Sequence, residues 1–274
     1  MNPFETLCLI RGGGDLATGV AYRLHRAGFP IIVTELAQPV ALRRAVSFAE
    51  AIYAGEVEVE GVRAQRAMTV SAALRLAAEG CVPVIVDDDG KALADICPMA
   101  VVDGRMAKVN LGTQITDAPL VIGLGPGFTA GVACHAVIET CRGHHLGRVI
   151  WKGAAAPDTG KPEAVNGHAG DRVLHAPRAG VLRVQRAIGE MVTGGEALAE
   201  VDGAPVQAPF AGVLRGIAHD GLVVTSGMKI GDVDPRGVQE YCFEISDKAL
   251  AVGGGVLEAI LAWLNARETG GIKL

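Results

Sequence analysis

The chain has 274 residues, of which 50% are hydrophobic, and its 25 basic and 30 acidic side chains give a net charge of −5. This length is sufficient for two domains. The acidic balance argues against a nucleic-acid interface, and no basic amphipathic stretch indicates binding to a membrane surface.

The start of the chain and its cysteines favour a cytoplasmic protein. Met1–Glu5 lacks the positive region of a signal peptide. The six cysteines form no Cys-x-x-Cys pair and no zinc-type spacing, so we interpret them as reduced, mostly buried thiols and predict no metal site. Residues 118–138 carry no formal charge, but two prolines and four glycines favour a buried strand, a loop and a helix over a membrane span.

The first elements predict a β-loop-α-β unit. Residues 7–10 are an apolar run typical of a strand, residues 15–27 have helical spacing, and residues 31–34 form the next strand. Between the first strand and the helix, Gly12-x-Gly14-x-x-Ala17 has the spacing of a dinucleotide-binding fingerprint. Glycines let the backbone approach a phosphate, and the helix N-terminus presents unpaired N–H groups.

An acidic residue follows this loop at the distance that a ribose-binding carboxylate requires. Glu35 comes 21 residues after Gly14, at the end of the second strand. The candidate nucleotide-binding residues are therefore Gly12, Gly13, Gly14, Asp15 and Glu35. The alternative is that the glycines make only a tight turn with Asp15 as the helix N-cap, and Asp15 would also repel a phosphate.

The β-α alternation continues through the first half of the chain. Residues 70–78 have helical periodicity, and residues 82–86 form a strand that ends in Asp87-Asp88-Asp89. Three carboxylates at the end of a parallel strand are suited to Mg²⁺, but an Asp-rich turn before a glycine is an ordinary solvated loop. We favour the loop.

A second glycine-rich loop follows the next buried strand. Residues 120–122 lead into Gly123, Gly125 and Gly127, and we predict a helix from about Ala130 to Cys141. In a doubly wound sheet both loops open at the carboxyl edge, where ligands bind. The three glycines are therefore candidate binding residues. The order of the strands is not readable from the sequence.

Residues 175–203 and 207–235 are two copies of one motif. Residues 176–183 read APRAGVLR, residues 208–215 read APFAGVLR, and 13 of the 29 aligned positions are identical. Short alternating strands with glycine turns, duplicated in this way, predict two interlocked halves of one small sandwich. The pattern resembles the biotinyl/lipoyl-type hammerhead, in which a lysine at the tip of the joining hairpin carries the prosthetic group. Here the join reads VDGAPV (201–206), and Lys161 and Lys229 lie outside it, so we expect a structural or docking element rather than a carrier.

The end of the second copy carries two further candidate binding residues. Lys229 and Arg236 stand where the first copy has Ala197 and Ala204, and both are suited to a phosphate or a carboxylate. Asp234 has an equivalent in Asp202, which favours a structural role for it. The alternative is an Asp-Pro turn whose charges lie in solvent.

Several longer sequence motifs, taken in order, resemble those of one family across nearly the whole chain. They include RGGGDLA (11–17), TELAQP (34–39), GLGPGF (123–128), RGHHLGR (142–148), KIGDVDPR (229–236), SDK (246–248) and GGGVLEA (253–259). In this order they resemble the YqeB-like accessory proteins of selenium-dependent molybdenum hydroxylase systems. The resemblance implies a role in maturing a molybdenum hydroxylase of the xanthine dehydrogenase type. The implied ligands are the molybdenum cofactor, in its pterin or cytosine-dinucleotide form, or a nucleotide-containing precursor, and the implied partner is the apo-enzyme.

The predicted fold class is α/β. We expect a Rossmann-like, mostly parallel sheet over residues 1–152, a linker over 153–170, a lipoyl-like all-β barrel-sandwich over 171–237, and a C-terminal segment over 238–274 with a helix packing on the first domain. An NAD(P)-dependent oxidoreductase is the alternative, with Glu35 favouring NAD, and a non-catalytic scaffold is the second alternative. No nucleophile with a base and an orienting group can be assembled, so no catalytic residue is named. The oligomeric state stays open.

Overall fold

The computed structural model describes residues 5–160 and 164–269. Residues 1–4, which bear on the signal-peptide prediction, and Lys161 lie outside the described residues. The chain divides into two compact units, each built from separate segments. Unit 1 comprises Met1–Pro39, Phe48–Asp158 and Ile245–Leu274, and unit 2 comprises Val40–Ser47 and Thr159–Glu244.

Unit 1 contains eleven strands and five α-helices among the described residues. The strands are β1 (Cys8–Arg11), β2 (Ile31–Glu35), β3 (Glu56–Val59), β4 (Val62–Ala67), β5 (Val82–Val86), β6 (Ala100–Asp103), β7 (Leu120–Leu124), β8 (Thr129–Ala130), β9 (Ala136–Ile138), β10 (Val149–Ile150) and β11 (Gly153–Ala154). The helices are α1 (Asp15–Arg26), α2 (Ala51–Ala54), α3 (Val70–Ala78), α4 (Ala92–Ile96) and α5 (Asp247–Thr269).

Nine of these strands form one sheet in the order β10-β9-β7-β6-β1-β2-β5-β4-β3. The seven inner strands are parallel, and β3 and β10 are antiparallel at the two edges. The inner strands other than β4 (VRAQRA) are mostly apolar and buried, as expected for a parallel sheet that is covered on both faces. Leu9, Ile32, Val101, Val121 and Val137 lie in one core cluster together with apolar residues of α3 and α4.

Helices α1 and α5 cross at backbone contact. A Cβ atom built on Gly19 of α1 would lie 2.6 Å from the carbonyl oxygen of Ala249, and one built on Gly253 of α5 would lie 2.5 Å from that of Gly19. Glycine is therefore required at both positions for steric reasons. Within the described residues, α5 alone is long and apolar enough to cross a membrane, and half of its apolar window is buried in the structure.

The predicted helix from Ala130 to Cys141 is wrong. These residues form β8, a turn and β9 instead, with β8 paired to β11 and β9 inserted parallel to β7. The run contains Gly131 and the β-branched residues Val132, Val137, Ile138 and Thr140, which have low helix propensity. Cys134 and Cys141 therefore do not share a helix face, and the second glycine-rich loop does not open a helix.

In its described residues, unit 2 contains eight strands: β12 (Val173–His175), β13 (Gly180–Val184), β14 (Met191–Val192), β15 (Ala197–Val201), β16 (Ala204–Gln207), β17 (Gly212–Ile217), β18 (Val223–Val224) and β19 (Lys229–Asp234). They form two antiparallel sheets in the orders β12-β19-β17-β14 and β16-β15-β13-β18. Counting the short strand that leads into each copy, the first copy supplies β12–β15 and the second supplies β16–β19, at the 32-residue offset of the repeat. Each sheet therefore combines two strands of each copy, which is the interlocked arrangement that the repeat predicts.

The hairpin that joins the two copies ends in a two-residue turn. Asp202 and Gly203 both have positive φ, at 44° and 78°, between the paired residues Val201 and Ala204. This is the Asp-Gly pattern of a tight hairpin turn. The tip of the join thus carries an aspartate and a glycine, and no amine.

Candidate functional site

The candidate site lies at the carboxyl ends of β1 and β6 in unit 1. The chain forms β2, β3, β4 and β5 on one side of β1, then crosses to the other side with β6 and continues outward to β7 and β9. The strand order therefore reverses between β1 and β6. In open α/β sheets the crevice beyond the carboxyl ends at such a reversal is the usual ligand position. The loop of residues 12–14 follows β1 directly at this point.

The first two glycines of the loop are needed for packing. Gly12 has φ of +89°, and a Cβ there would lie 3.1 Å from the Cα atom of Arg105, which follows β6. A Cβ on Gly13 would lie 2.8 Å from the backbone nitrogen of Ala49. Gly13 also accepts hydrogen bonds at its carbonyl oxygen from the Ala49 N–H and the Thr18 hydroxyl. Both glycines are therefore explained by the fold without a ligand.

Gly14 differs from its two neighbours because open space lies beside it. It is the N-cap of α1 with an extended backbone (φ −66°, ψ 179°), and among the described residues no heavy atom lies within 4 Å of a Cβ built on it. The absence of a side chain leaves the first turn of α1 accessible to an incoming group, and helix N-termini favour anions. The predicted alternative of Asp15 as the N-cap is wrong, since Asp15 is the first helical residue.

Two carboxylates accept hydrogen bonds from backbone N–H groups in or near this loop. Asp15 accepts a hydrogen bond at Oδ1 from the Leu16 N–H at 2.9 Å. Glu35 accepts the Gly13 N–H at Oε2 (2.7 Å) and the Leu36 N–H at Oε1 (2.8 Å). Glu35 thus connects the end of β2 to the glycine loop. A carboxylate offers about four acceptor positions, so Glu35 retains capacity for a ligand hydroxyl.

A polar network that the sequence analysis missed lies on the β6 side of the loop. The Thr113 hydroxyl donates to Asp103 Oδ2 at 2.6 Å and accepts from Arg11 Nη1 at 2.6 Å and Arg105 Nη2 at 3.1 Å. Arg105 also donates to both carboxylate oxygens of Asp103, and Arg11 pairs with Asp117 at 2.9 Å. The network ties the loop after β6 to the carboxyl end of β1.

Asp103 is the buried centre of this network. Its burial favours the neutral form, but the hydrogen bonds from Arg105 and Thr113 outweigh that effect, so the pKa of Asp103 lies below its usual value. The sequence offered one signal for it, a charged Asp-Gly-Arg triplet directly after an apolar run. The triplet begins at the last residue of β6, just as residues 11–14 begin at the last residue of β1.

The glycines of the second loop are packed against protein atoms. Cβ atoms on Gly123 and Gly125 would collide with the Phe128 ring and the Thr140 side chain, and a Cβ on Gly127 would lie 2.9 Å from the backbone of Val109. Gly125 and Gly127 also have positive φ. The structure therefore supplies a packing reason for glycine at each of these predicted ligand positions.

The three aspartates after β5 each have a protein partner. Asp87 accepts the Ala92 N–H at the start of α4, Asp88 accepts the Ala37 N–H, and Asp89 pairs with Lys91. This arrangement agrees with the solvated loop that we favoured. No group of three or more His, Cys, Asp or Glu side chains in residues 5–160 and 164–269 is arranged to hold a metal ion.

Lys229 and Arg236 belong to unit 2 and do not form one site. Lys229 is the first residue of β19, and Arg236 lies two residues after its end. Because a strand advances about 3.3 Å per residue, the two residues are separated by roughly 20 Å. Lys229 is exposed and pairs through the backbone with His175. Arg236 forms a two-point ion pair with Asp234, at 2.9 and 2.5 Å, and its guanidinium lies 4.8 Å from the centre of the Tyr241 ring.

Comparison with known proteins gives one sequence relative and weak structural neighbours. The chain is 48% identical over 259 residues to YqeB of Escherichia coli strain K12, a protein described as uncharacterized. The alignment covers 94% of this chain and 48% of that protein. The chain thus spans about half the length of the curated relative it matches. This identity supports the YqeB-like resemblance. No family model matches.

Two solved structures align with most of the chain at low similarity. The product-bound ectoine utilization protein EutE (DoeB) from Ruegeria pomeroyi is 12% identical, with 83% of this chain and 52% of that chain covered and a TM-score of 0.21. A succinylglutamatedesuccinylase/aspartoacylase from Rhodobacter sphaeroides is 16% identical, with 83% and 85% covered and a TM-score of 0.26. At these scores neither likeness bears on the fold or the function of this chain.

Proposed function

We propose that this chain is an accessory factor in the maturation of a selenium-dependent molybdenum hydroxylase of the xanthine dehydrogenase type. In this proposal it binds a nucleotide-containing cofactor or precursor at the carboxyl ends of β1 and β6. The candidate ligand is the molybdenum cofactor in its pterin or cytosine-dinucleotide form, and the partner is the apo-hydroxylase. The chain acts in the cytoplasm, and its activity is binding and delivery.

The open position beside Gly14 carries this proposal. Gly12 and Gly13 are explained by packing, whereas no atom of residues 5–160 and 164–269 accounts for the glycine at position 14. It lies at the reversal of the strand order, at the first turn of a twelve-residue helix, and next to a carboxylate in the ribose-binding position. A phosphoryl group on the α1 N-terminus with a sugar hydroxyl on Glu35 would use these features together.

The test is an equilibrium binding panel on the purified protein. It comprises NAD(H), NADP(H), CTP with Mg²⁺, and the molybdenum cofactor in its pterin and cytosine-dinucleotide forms. The Gly14→Val variant fills the open space. Gly254→Val is the matched control, because a Cβ there also meets no atom of the described residues within 4 Å. Selective binding of the molybdenum cofactor or CTP that is lost in Gly14→Val and kept in Gly254→Val supports the proposal. Binding that survives in a folded Gly14→Val variant overturns the assignment of the site.

The alternative of an NAD(P)-dependent oxidoreductase is favoured by one observation, the position of Glu35 at the end of β2. A carboxylate there hydrogen-bonds the ribose of NAD in dinucleotide-binding folds. Nicotinamide binding alone in the same panel, followed by redox turnover, would establish this alternative. No binding of any nucleotide would leave the non-catalytic scaffold.

We propose further that unit 2 is a lipoyl/biotinyl-like hammerhead that serves as a docking element. Its two four-stranded antiparallel sheets, each with strands of both copies, support this comparison. The Asp202-Gly203 tip has no amine to acylate, so a carrier role is not part of the proposal. Mass spectrometry of protein purified from its native host should show no lipoyl or biotinyl addition on unit 2, and such an addition would contradict this assignment.

A further inference from the structure

The loop that follows β6, residues 104–113, is exposed at its centre but fixed by its own contacts. The Asn110 side chain accepts the Thr113 N–H and donates to the Thr113 carbonyl, each at 2.8 Å. Thr113 is anchored in the buried network described above, and Lys108 pairs with Asp158 at 2.7 Å. The conformation of loop 104–113 is therefore set without a ligand, and a fixed loop loses little freedom on binding.

Loop 104–113 holds two apolar side chains in water next to the glycine loop. Val109 is 59% exposed and Leu111 is 53% exposed. The Leu111 carbonyl accepts a hydrogen bond from Arg105 at 3.2 Å, and a Cβ on Gly12 would lie 3.1 Å from the Cα atom of Arg105. Single exposed apolar residues are common on proteins. Here, however, two of them lie two positions apart on an ordered loop at the carboxyl edge of the sheet, where ligands bind.

The loops after β1 and β6 leave the sheet toward opposite faces. Successive residues of a strand alternate between the two faces. Asp103 comes two residues after Val101, which belongs to the core cluster with α3 and α4, so loop 104–113 begins on that face. The glycine loop contacts the other face, because a Cβ on Gly13 would lie 3.3 Å from the side chain of Val33, whose neighbour Ile32 belongs to the α3 and α4 cluster. Two loops that diverge in this way leave a crevice between them.

Three candidate contact positions follow one another along this crevice. Strands β2, β1 and β6 are adjacent in the sheet. Glu35 ends β2, the open space beside Gly14 follows β1, and loop 104–113 follows β6. Neighbouring strands lie about 4.8 Å apart, so the three positions extend over roughly 10 Å. A phosphoryl group beside Gly14 with its ribose on Glu35 would occupy the first two positions and leave the third uncovered.

A buried hydroxyl at the same edge has no partner. Thr34, next to last in β2, is 5% exposed, and its hydroxyl forms no hydrogen bond to any group of residues 5–160 and 164–269. Thr34 is paired in register with Arg11, and Arg11 with Asp103, so these three side chains project from the face on which loop 104–113 begins. Buried hydroxyls are normally hydrogen-bonded. This hydroxyl remains available to a polar group of a ligand.

We propose that the site takes a pyrophosphate-linked dinucleotide rather than a mononucleotide, and that Val109 and Leu111 contact the second half of this ligand. The ribose of the first half lies on Glu35, the pyrophosphate lies beside Gly14, and a flat ring of the second half lies against loop 104–113. This contact removes the two apolar side chains from water. The inference rests on the proposed function, and it selects the cytosine-dinucleotide form of the molybdenum cofactor over its pterin form.

The experiment compares ligands that share one half, by calorimetry on the full chain. The pairs are the cytosine-dinucleotide form of the molybdenum cofactor with CMP, and NAD with AMP. One dinucleotide should bind the parent protein at least about tenfold more tightly than its mononucleotide. Val109→Ser combined with Leu111→Ser should weaken that dinucleotide by about tenfold and change the mononucleotide by less than about twofold, because only the second half loses apolar contacts.

The matched control combines Val132→Ser with Leu261→Ser. Both residues are exposed; Val132 precedes β9 at the amino end of that strand, and Leu261 lies on α5. This variant removes the same two types of side chain from the surface of unit 1, away from the crevice. The affinities of both ligands should change by less than about twofold.

Thr34→Val tests the buried hydroxyl with a side chain of nearly the same shape. Without a ligand the variant should have a higher melting temperature than the parent, because it removes a buried polar group that lacks a partner. It should also weaken the dinucleotide by about fivefold, since a hydrogen bond to the ligand is lost, and leave the mononucleotide nearly unchanged. A threonine with a purely structural role would give lower stability and unchanged affinity.

Each remaining outcome contradicts the inference. Equal affinities of the parent for dinucleotide and mononucleotide, or an equal loss of both in the loop variant, would show that the second half makes no contact with loop 104–113. If Gly14→Val still abolishes binding in that case, the proposed function stands and this inference alone fails. If no nucleotide binds the parent at all, the proposed function fails and this inference fails with it.

Discussion

Single glycines in this chain have different physical roles, although the sequence presents them alike. Gly12, Gly13 and Gly123 are required because a side chain would collide with neighbouring atoms, whereas the space beside Gly14 is open. The sequence analysis placed the glycine loop of residues 12–14 and Glu35 correctly at the ends of β1 and β2. The sequence alone does not separate the glycines that pack against other atoms from the one that has open space beside it, because that distinction depends on what the rest of the chain brings to each Cα atom.

The charge of Asp15 provides a residue-level test of where a phosphate would lie. Asp15 is in the first turn of α1, where its charge competes with a phosphoryl group for the helix N-terminus. We expect Asp15→Asn to tighten binding of the preferred nucleotide by about threefold while lowering stability by about 0.5 kcal/mol. Titration of both proteins measures the first effect and urea unfolding the second. Asp95→Asn, an exposed acid at α4, is the control, and unchanged affinity in Asp15→Asn would place the phosphate elsewhere.

Asp103 gives a second residue-level prediction, for the pH dependence of stability. Because the folded-state pKa of Asp103 is lowered, its carboxylate stabilises the fold fully above the unfolded-state value of about 3.9 and loses this effect as the pH falls toward the folded-state pKa. Asp103→Asn should cost about 2 kcal/mol in unfolding free energy at pH 7. The difference from the parent should shrink below about pH 4 in urea titrations. Glu58→Gln, at an exposed carboxylate, should show no such difference, and a pH-independent cost in Asp103→Asn would contradict the ionic role.

At the scale of elements, local patterns predicted strands and amphipathic helices well and connections poorly. The helices near residues 15–26 and 70–78 and the strand at 82–86 are where the sequence placed them. The antiparallel pair β3–β4 was missed, and the helix predicted from Ala130 was wrong, because short strands are stabilised by pairing partners that are distant in sequence. The network around Asp103 was missed for the same reason, since its members are brought together only when β1 and β6 pair.

The α1–α5 crossing predicts opposite effects for two adjacent glycines. Gly253→Ala should destabilise the protein by about 1–3 kcal/mol, because the added methyl group meets the backbone of Gly19. Gly254→Ala should stabilise it by about 0.5–1 kcal/mol, because its Cβ meets no neighbour and alanine favours the helix. Urea unfolding of both variants measures the two signs. Equal effects would contradict the backbone contact between the helices.

At the scale of the whole molecule, the division into units does not follow the chain order. The repeat marked unit 2 in the sequence, and the C-terminal helix was expected to pack on the first domain; α5 does belong to unit 1. No local signal indicated that segment 40–47 belongs to unit 2. Strand order and segment membership depend on long-range burial, which one sequence does not reveal. The identity of 48% with YqeB covers nearly all of this chain and therefore both units.

The reactivity of the six cysteines allows the burial and the unfolding of both units to be measured. Cys97 and Cys141 are exposed and the other four are buried; burial raises the pKa of Cys8 to about 12 and that of Cys134 to about 11. We expect two thiols to react rapidly with a disulfide reagent at pH 8 and six to react in denaturant, since the thiolate is the reactive form. In intermediate urea, mass spectrometry should show Cys242 becoming labelled with unit 2, and Cys8, Cys81 and Cys134 with unit 1. More than two rapid thiols in the native protein would contradict the burial described.

The exchange of strands between the two copies in unit 2 has an evolutionary consequence. A single copy would supply only two strands to each sheet, so on its own it could complete neither. Two separate copies would complete both by pairing around a two-fold axis, the commonest symmetry of protein dimers. The present unit is therefore what gene duplication and fusion of a small homodimer-forming peptide would produce, with the Asp202-Gly203 turn as the fusion joint. Once the copies were fused, each half mutated independently, and 16 of the 29 aligned positions now differ.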